Sequence, residues 1–290
     1  MLTDPRSAGP RPPFPPQQQP MPGKTAALDP RPDHGEESYE GHGRLKDCVA
    51  LITGGDSGIG RAIAIAYARE GADVLISYLS EHEDAQETAR WVERAGRKAV
   101  VMAGDISDEA HCRKLVERAR SELGRLDIVV NNAAFQATHE NLEDLTAEEI
   151  DHTFGTNIHS MFYLSKAAVP HLSPGSSIIN TSSINTKSPN AELLAYATTK
   201  GAIANFTAGA AQLLAKRGIR VNCVAPGPVW TPLIPSTMGA EKASQFGENT
   251  PLGRPAQPAE LAPAYVFLAS NDSTYITGAV LPVTGGRPML

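Results

Sequence analysis

From residue 47 onward, short apolar runs alternate with longer amphipathic stretches, and this alternation admits few architectures. Strands are expected over 48–52, 74–76, 99–102, 128–130, 177–179, 219–224 and 280–283. Helices are expected over 59–70, 83–95, 109–123, 147–169, about 195–216 and 259–269. Gly71, Gly96 and Gly124 stand where three of them stop. Thr146 is a predicted N-cap, with Glu149 three residues on to complete a capping box. Strands that are apolar throughout are buried on both faces, as in a parallel sheet. The fold class is therefore α/β, a doubly wound parallel sheet of about seven strands with helices on both faces, in a single domain.

The first 43 residues differ. Ten of the 23 prolines lie between Pro5 and Pro32, with Gln17-Gln18-Gln19 among them. Such a stretch cannot bury a core, so an extended or disordered tail is expected over 1–43. It is read as solvated, with docking onto a neighbouring subunit as the alternative. The folded domain occupies 44–290. A net charge of −6 provides no broad basic surface for nucleic acid. No apolar run approaches the ~20 residues needed to cross a bilayer. Residues 1–22 lack the apolar centre of a secretory signal. Cys48, Cys112 and Cys223 are odd in number and widely spaced. They suit neither a disulfide framework nor a metal cluster, and a cytoplasmic location follows. The eight histidines lack metal-ligand spacing, so no metal is expected.

Tyr196 and Lys200 are one helical turn apart, and Ser183 lies thirteen residues before the tyrosine (196 − 183). On a helix, residues four apart share a face. A free phenol, with a pKa of about 10, is a poor proton shuttle at neutral pH. A neighbouring ammonium favours phenolate and is expected to lower that value. A serine hydroxyl can hold a substrate oxygen as it gains or loses a proton.

The first strand leads through Thr53-Gly54-Gly55-Asp56-Ser57-Gly58-Ile59-Gly60 straight into a helix. Glycines let backbone approach a ligand, and a helix N-terminus offers free N–H groups to a pyrophosphate. A nicotinamide dinucleotide would supply the hydride chemistry that complements a proton moved at Tyr196.

Together these motifs resemble the short-chain dehydrogenase/reductase family, of its compact single-domain Rossmann type, over roughly 45–286. The resemblance also rests on Gly104-Asp105, Asn131-Asn132-Ala133-Ala134, Asn157 and Pro226-Gly227. Asp29-Pro30-Arg31-Pro32, Gly54-Gly55-Asp56-Ser57 and Pro226-Gly227-Pro228-Val229-Trp230-Thr231 look like the stress-associated and glucose-and-ribitol-dehydrogenase-like subgroup. The resemblance implies Tyr196 as catalytic acid/base and Lys200 as the cation that lowers its pKa and holds the nicotinamide ribose. Ser183 would orient the substrate oxygen, and Asn157 would support a water link to the lysine. Cofactor contacts would come from Gly54, Asp56, Ser57, Gly58, Ile59 and Gly60 in the first turn, and from Tyr78 after strand two. Asp105 and Ile106, then Asn132, Ala133 and Ala134, follow strands three and four. Pro226, Gly227, Val229 and Thr231 complete the set, with Tyr196 and Lys200 themselves. Asn131 would brace the sheet. Ala134 departs from the family's usual glycine. The resemblance further implies a homotetramer built on helix pairs starting near 147 and 195.

Strand two ends near Tyr78, where a carboxylate would select NAD, and Leu79-Ser80-Glu81-His82-Glu83-Asp84 follows without an arginine. Acidic residues disfavour a 2′-phosphate, so NAD is the expected cofactor, with NADP possible. Arg61 is read as a helix-surface cation, or as a group facing that phosphate. The segment 230–250 is the expected roof of a pocket for a small alcohol or carbonyl substrate, with Phe135, Gln136, Asn185 and Trp230 as candidate walls. The expected reaction moves a hydride between nicotinamide and a secondary alcohol or polyol, or the matching aldehyde or ketone. Two other readings stay open. A 3-oxoacyl carrier-protein reductase would need a cationic landing site, for which Arg254 and Lys242 are the candidates. A non-catalytic dinucleotide sensor would keep the fold without the chemistry.

Overall fold

In the computed structural model, which describes residues 2–289, seven parallel strands form one sheet. They are β1 (Val49–Thr53), β2 (Asp73–Tyr78), β3 (Ala99–Ala103), β4 (Ile128–Asn131), β5 (Ser177–Thr181), β6 (Arg220–Pro226) and β7 (Val280–Val283). Their order is β3-β2-β1-β4-β5-β6-β7. The chain winds outward from β1 in one direction and then returns to build outward from β4. The crevice where the order reverses, at the carboxyl ends of β1 and β4, is the usual ligand site of such sheets.

Side chains alternate across the sheet. Ala50, Ile52, Val74 and Ile76 join one core. Leu51, Leu75, Val129 and Ile178 join the other. The first face is covered by α1 (Gly58–Arg69), α2 (His82–Arg94) and, near the C-terminus, Ala262–Ala269. The second is covered by α3 (Glu109–Leu123), Ser160–Ala168 and Leu194–Leu214. With both faces dry, truncating a strand residue such as Ile52 to Ala should cost about 2–5 kcal/mol.

The expected helix over 147–169 is not continuous. It comprises α4 (Ala147–Phe154), a π-helical turn at Gly155–His159, and α5 (Ser160–Ala168). A π turn inserts an extra residue and re-aims the side chains it carries. The predicted capping box is half made. The Thr146 hydroxyl accepts from the Glu149 N–H at 3.1 Å, but the Glu149 carboxylate pairs with His139 instead. Next comes α6 (Leu194–Leu214), and two short helices, α7 (Leu233–Thr237) and α8 (Ala240–Ser244), follow β6. The last helix is α9 (Ala262–Ala269).

The N-terminal segment is extended and largely exposed, but it is anchored to the domain rather than free of it. Phe14 and Leu28 join Trp230, Ile234 and Ala243 in a separate apolar cluster. Its prolines leave few N–H donors, but its carbonyls are used: Arg254 donates to Pro5, and the Trp230 indole to Pro30 at 2.8 Å. A few anchoring side chains suffice to hold the rest.

Candidate active site

A cavity of about 600 Å³ opens at the carboxyl ends of the central strands. β1 delivers the glycine-rich turn to its floor. Gly54 has φ +62°, and a Cβ there would lie 3.1 Å from the Ala133 Cα. At Gly60 a Cβ would lie 1.9 Å from the Gly54 carbonyl oxygen. Gly60 thus serves close helix–strand packing, while Gly54, Asp56, Ser57, Gly58 and Ile59 line the cavity. Ser57 caps α1 without a side-chain hydrogen bond. The N–H groups of the first turn therefore remain for a pyrophosphate, with the helix dipole behind them. The Thr53 hydroxyl accepts from the Asn132 and Ala133 N–H groups at 3.0 and 3.1 Å, which ties this turn to the loop after β4. These residues fit a dinucleotide.

Along the cavity, Tyr78, Asp105, Ile106, Asn132, Ala133 and Ala134 form one wall. Pro226, Gly227, Val229 and Thr231 also line the cavity. Asn131 lies outside it, and its amide donates to Asn180 at 2.8 Å, bracing β4 against β5.

Tyr196 sits in the first turn of α6 and Lys200 one turn later, both facing the cavity beside Ser183. Lys200 is 2 % exposed. Its ammonium lies 5.1 Å from the centre of the Tyr196 ring and donates to the Thr181 carbonyl at 2.9 Å. Ser182 and Thr186 hydroxyls hold the Lys200 carbonyl. Burial pushes Tyr196 up to about 12, with the Ser183 hydroxyl opposing the rise. Burial also pulls Lys200 down to about 8. The expected lowering of the phenol by its lysine is therefore reversed here. Desolvation of the phenolate by burial is the largest influence on this phenol.

Asn157 does not line the cavity. The π turn directs its side chain at the loop after β4. Its Oδ1 accepts from the Phe135 N–H at 2.8 Å, and its Nδ2 donates to the Phe135 carbonyl and the Thr199 hydroxyl at 2.9 and 3.0 Å. Asn157 thereby joins the cavity wall to α6, one residue before Lys200.

Both sequence readings of Arg61 fail. It is 1 % exposed, pairs with Asp84 at 2.9 Å and donates from Nε to the Asp56 carbonyl at 2.9 Å. A cation spent this way braces the glycine-rich turn from behind. Trp230 is likewise no cavity wall; it is fully buried against Phe14. Phe135, Gln136 and Asn185 do line the cavity.

Sequence reasoning missed Glu81, Arg287 and the segment Met21-Pro22-Gly23, all of which line it. Glu81 sits in the acidic run after β2, which was a usable signal. Nothing local marks the other two. Asp56 is only 7 % exposed, and burial pushes its carboxyl up to about 6, with Asp84 and Glu81 adding to the rise.

The family model described as enoyl-(acyl carrier protein) reductase matches residues 54–287. General stress protein 39 of Bacillus subtilis (strain 168) is 53% identical over 270 residues, 93% of this chain and 94% of that protein. The glucose and ribitol dehydrogenase of Daucus carota is 45% identical over 280 residues, 94% of this chain and 96% of that protein. Among solved structures, a short-chain dehydrogenase from Burkholderia cenocepacia J2315 in complex with NADP superposes with a TM-score of 0.78. It is 35% identical and covers 84% of this chain and 98% of its own.

Proposed function

The chain belongs to the short-chain dehydrogenase/reductase family of NAD(P)-dependent oxidoreductases, and on that premise we propose that it interconverts a small polyol or secondary alcohol with the matching aldehyde or ketone. One observation carries the proposal: the Tyr196 phenol, the Ser183 hydroxyl and the Lys200 ammonium open into the same cavity as the glycine-rich turn. The catalytic domain is 44–290.

When bound, a nicotinamide dinucleotide supplies or accepts the hydride. The chain's own residues do the rest. Ser183 donates a hydrogen bond to the substrate oxygen. Tyr196, protonated at neutral pH, gives its proton to that oxygen during reduction. In oxidation the phenolate takes the proton back, and the Lys200 charge stabilises it. Asn157 fixes the distance between the β4 loop and α6, so that these groups meet one substrate.

NAD is the preferred partner. Tyr78 supplies no carboxylate, but the buried Asp56 and nearby Glu81 do. Arg61, next to the turn, is already paired with Asp84. A ribose 2′-hydroxyl suits these carboxylates, whereas a 2′-phosphate meets repulsion there.

The substrate end mixes polar Gln136, Asn185 and Asn190 with apolar Phe135 and Ile184. That mixture favours a small hydroxylated substrate. A carrier-protein thioester is disfavoured because both candidate landing cations are occupied. Arg254 is buried in a pair with Glu260, and Lys242 pairs with Glu192. Three free thiols suit the reducing cytoplasm. Exposed Ile150, Phe162, Leu194 and Leu213 on α4, α5 and α6 supply an apolar face for a homotetramer.

The test is a panel of polyols, aldehydes and ketones with each dinucleotide. Turnover of small hydroxyaldehydes or polyols, with higher kcat/KM for NADH or NAD, is expected. Turnover restricted to a carrier-linked thioester would replace the substrate class. No turnover despite tight dinucleotide binding would make the protein a sensor.

A further inference from the structure

The roof of the cavity is built twice over, once by the domain and once by the N-terminal arm. The domain contributes Thr231, Pro232, Leu233 and Ile234, and beyond them Met238 and Phe246. The arm, which lies outside the family match, contributes Met21-Pro22-Gly23. The arm is fastened to the roof at several points. Phe14 is 5 % exposed, its ring centre 4.6 Å from that of Trp230. Its N–H donates to the Ser244 carbonyl at 2.7 Å, and the Gln19 N–H to the Pro235 carbonyl at 2.9 Å. Gly23 passes so close to Pro232 that a Cβ there would lie 2.5 Å from its carbonyl oxygen. Beyond the cavity, the Thr25 N–H donates to Asp84 at 2.9 Å, the carboxylate that also holds Arg61 behind the glycine-rich turn.

The arm therefore runs from the roof, to which it is fastened, past the cavity to Asp84 on α2, the carboxylate paired with Arg61 behind the glycine-rich turn. Its large apolar anchors, Phe14 and Leu28, are already buried within its own chain, so they are not available for a neighbouring subunit. We propose that the arm is a clasp that holds the roof segment closed over the bound dinucleotide and slows its release, a role that rests on the dinucleotide-binding function proposed above. Roof segments that follow the sixth strand are short helices in loops, and opening of such elements commonly governs product release. Here α7 and α8 are five residues each and lean on the arm for their apolar packing. Phe14 and Gly23 are positioning residues in this scheme, because they act on the roof rather than on the reacting atoms.

The experiment uses the full chain with two substitutions that loosen the arm by different means. Phe14→Ala removes the anchor. Gly23→Ala forces the arm off Pro232 and leaves the apolar cluster intact. Two readouts are taken: the NADH dissociation rate by stopped-flow fluorescence, and tryptic cleavage after Lys242, an exposed site within the roof. Both variants should release NADH on the order of tenfold faster and be cut faster at Lys242, with kcat unchanged or raised. Unchanged release and unchanged cleavage in the two variants would overturn the clasp. Faster cleavage without faster release would reduce the arm to a structural strap and overturn its role in dinucleotide retention. Should the unaltered protein fail to bind NADH, the dinucleotide function itself falls and takes the retention role with it; the Lys242 readout then shows only whether the arm holds the roof.

Discussion

Lys200 donates its hydrogen bond to the Thr181 carbonyl oxygen, not to the Tyr196 hydroxyl, and places its ammonium 5.1 Å from the centre of the tyrosine ring. The pair is thus held by β5 as much as by α6. The lysine is anchored from behind, and the phenol faces the cavity with its proton retained.

That arrangement sets a pH dependence. Burial raises Tyr196 to about 12, so the proton needed for reduction is present throughout the neutral range. Reduction should therefore hold its kcat/KM from about pH 6 to 8. Oxidation needs the phenolate, so its kcat/KM should climb with pH over the same interval, by up to about tenfold per unit. Initial rates in both directions across that range check this; an oxidation rate independent of pH would exclude Tyr196 as the titrating base.

Asp56→Asn separates two roles of one carboxyl. Its pKa of about 6 is raised above the ordinary carboxylate value. A raised value means that the stability contribution is complete below about pH 4 and is lost as pH rises through 6. The variant should therefore match the unaltered protein near pH 4 and exceed it above pH 7, by on the order of 2–3 kcal/mol. Its preference for NADH over NADPH should fall roughly tenfold, as repulsion of the 2′-phosphate is relieved. Denaturant melts at the two pH values and kcat/KM with each dinucleotide check both halves.

Arg61→Met leaves Asp84 buried without its cation, with the Thr25 N–H still donating to it. Loss of a buried pair in this way costs about 3–5 kcal/mol. Chemical denaturation should show that loss, together with weaker dinucleotide binding as the glycine-rich turn loses its brace at the Asp56 carbonyl. A surface cation would give a change under about 0.5 kcal/mol.

Much of this architecture was legible because it is local. The runs that became the central strands are short and mostly apolar, and a glycine turn between a strand and a helix has few other uses. The Tyr196 and Lys200 pair was legible because four residues make one turn. What escaped depends on distant partners. Arg61 reads as a surface cation until Asp84, from the next helix, closes over it. Asn157 needed a π turn, which no periodicity announces, to reach Phe135. The arm reads as disordered because its anchors, Trp230, Pro235 and Ser244, lie more than 200 residues further along.

Asn157→Ala should uncouple the β4 loop from α6. Three hydrogen bonds are lost and the Phe135 N–H is left without its partner. Stability should fall by about 1–3 kcal/mol. Because only the positions of Tyr196 and Ser183 suffer, kcat should drop roughly 10- to 100-fold without a change in the pH profile. A shifted profile would mean that Asn157 acts on the proton itself.

The most direct measurement is the single-turnover rate of hydride transfer in Tyr196→Phe, with NADH affinity determined on the same sample. A loss of about 10²–10⁴-fold in rate is predicted, with the dissociation constant for NADH within about threefold of the unaltered protein. Hydride transfer at an undiminished rate would contradict the assignment of Tyr196 as the group that moves the proton.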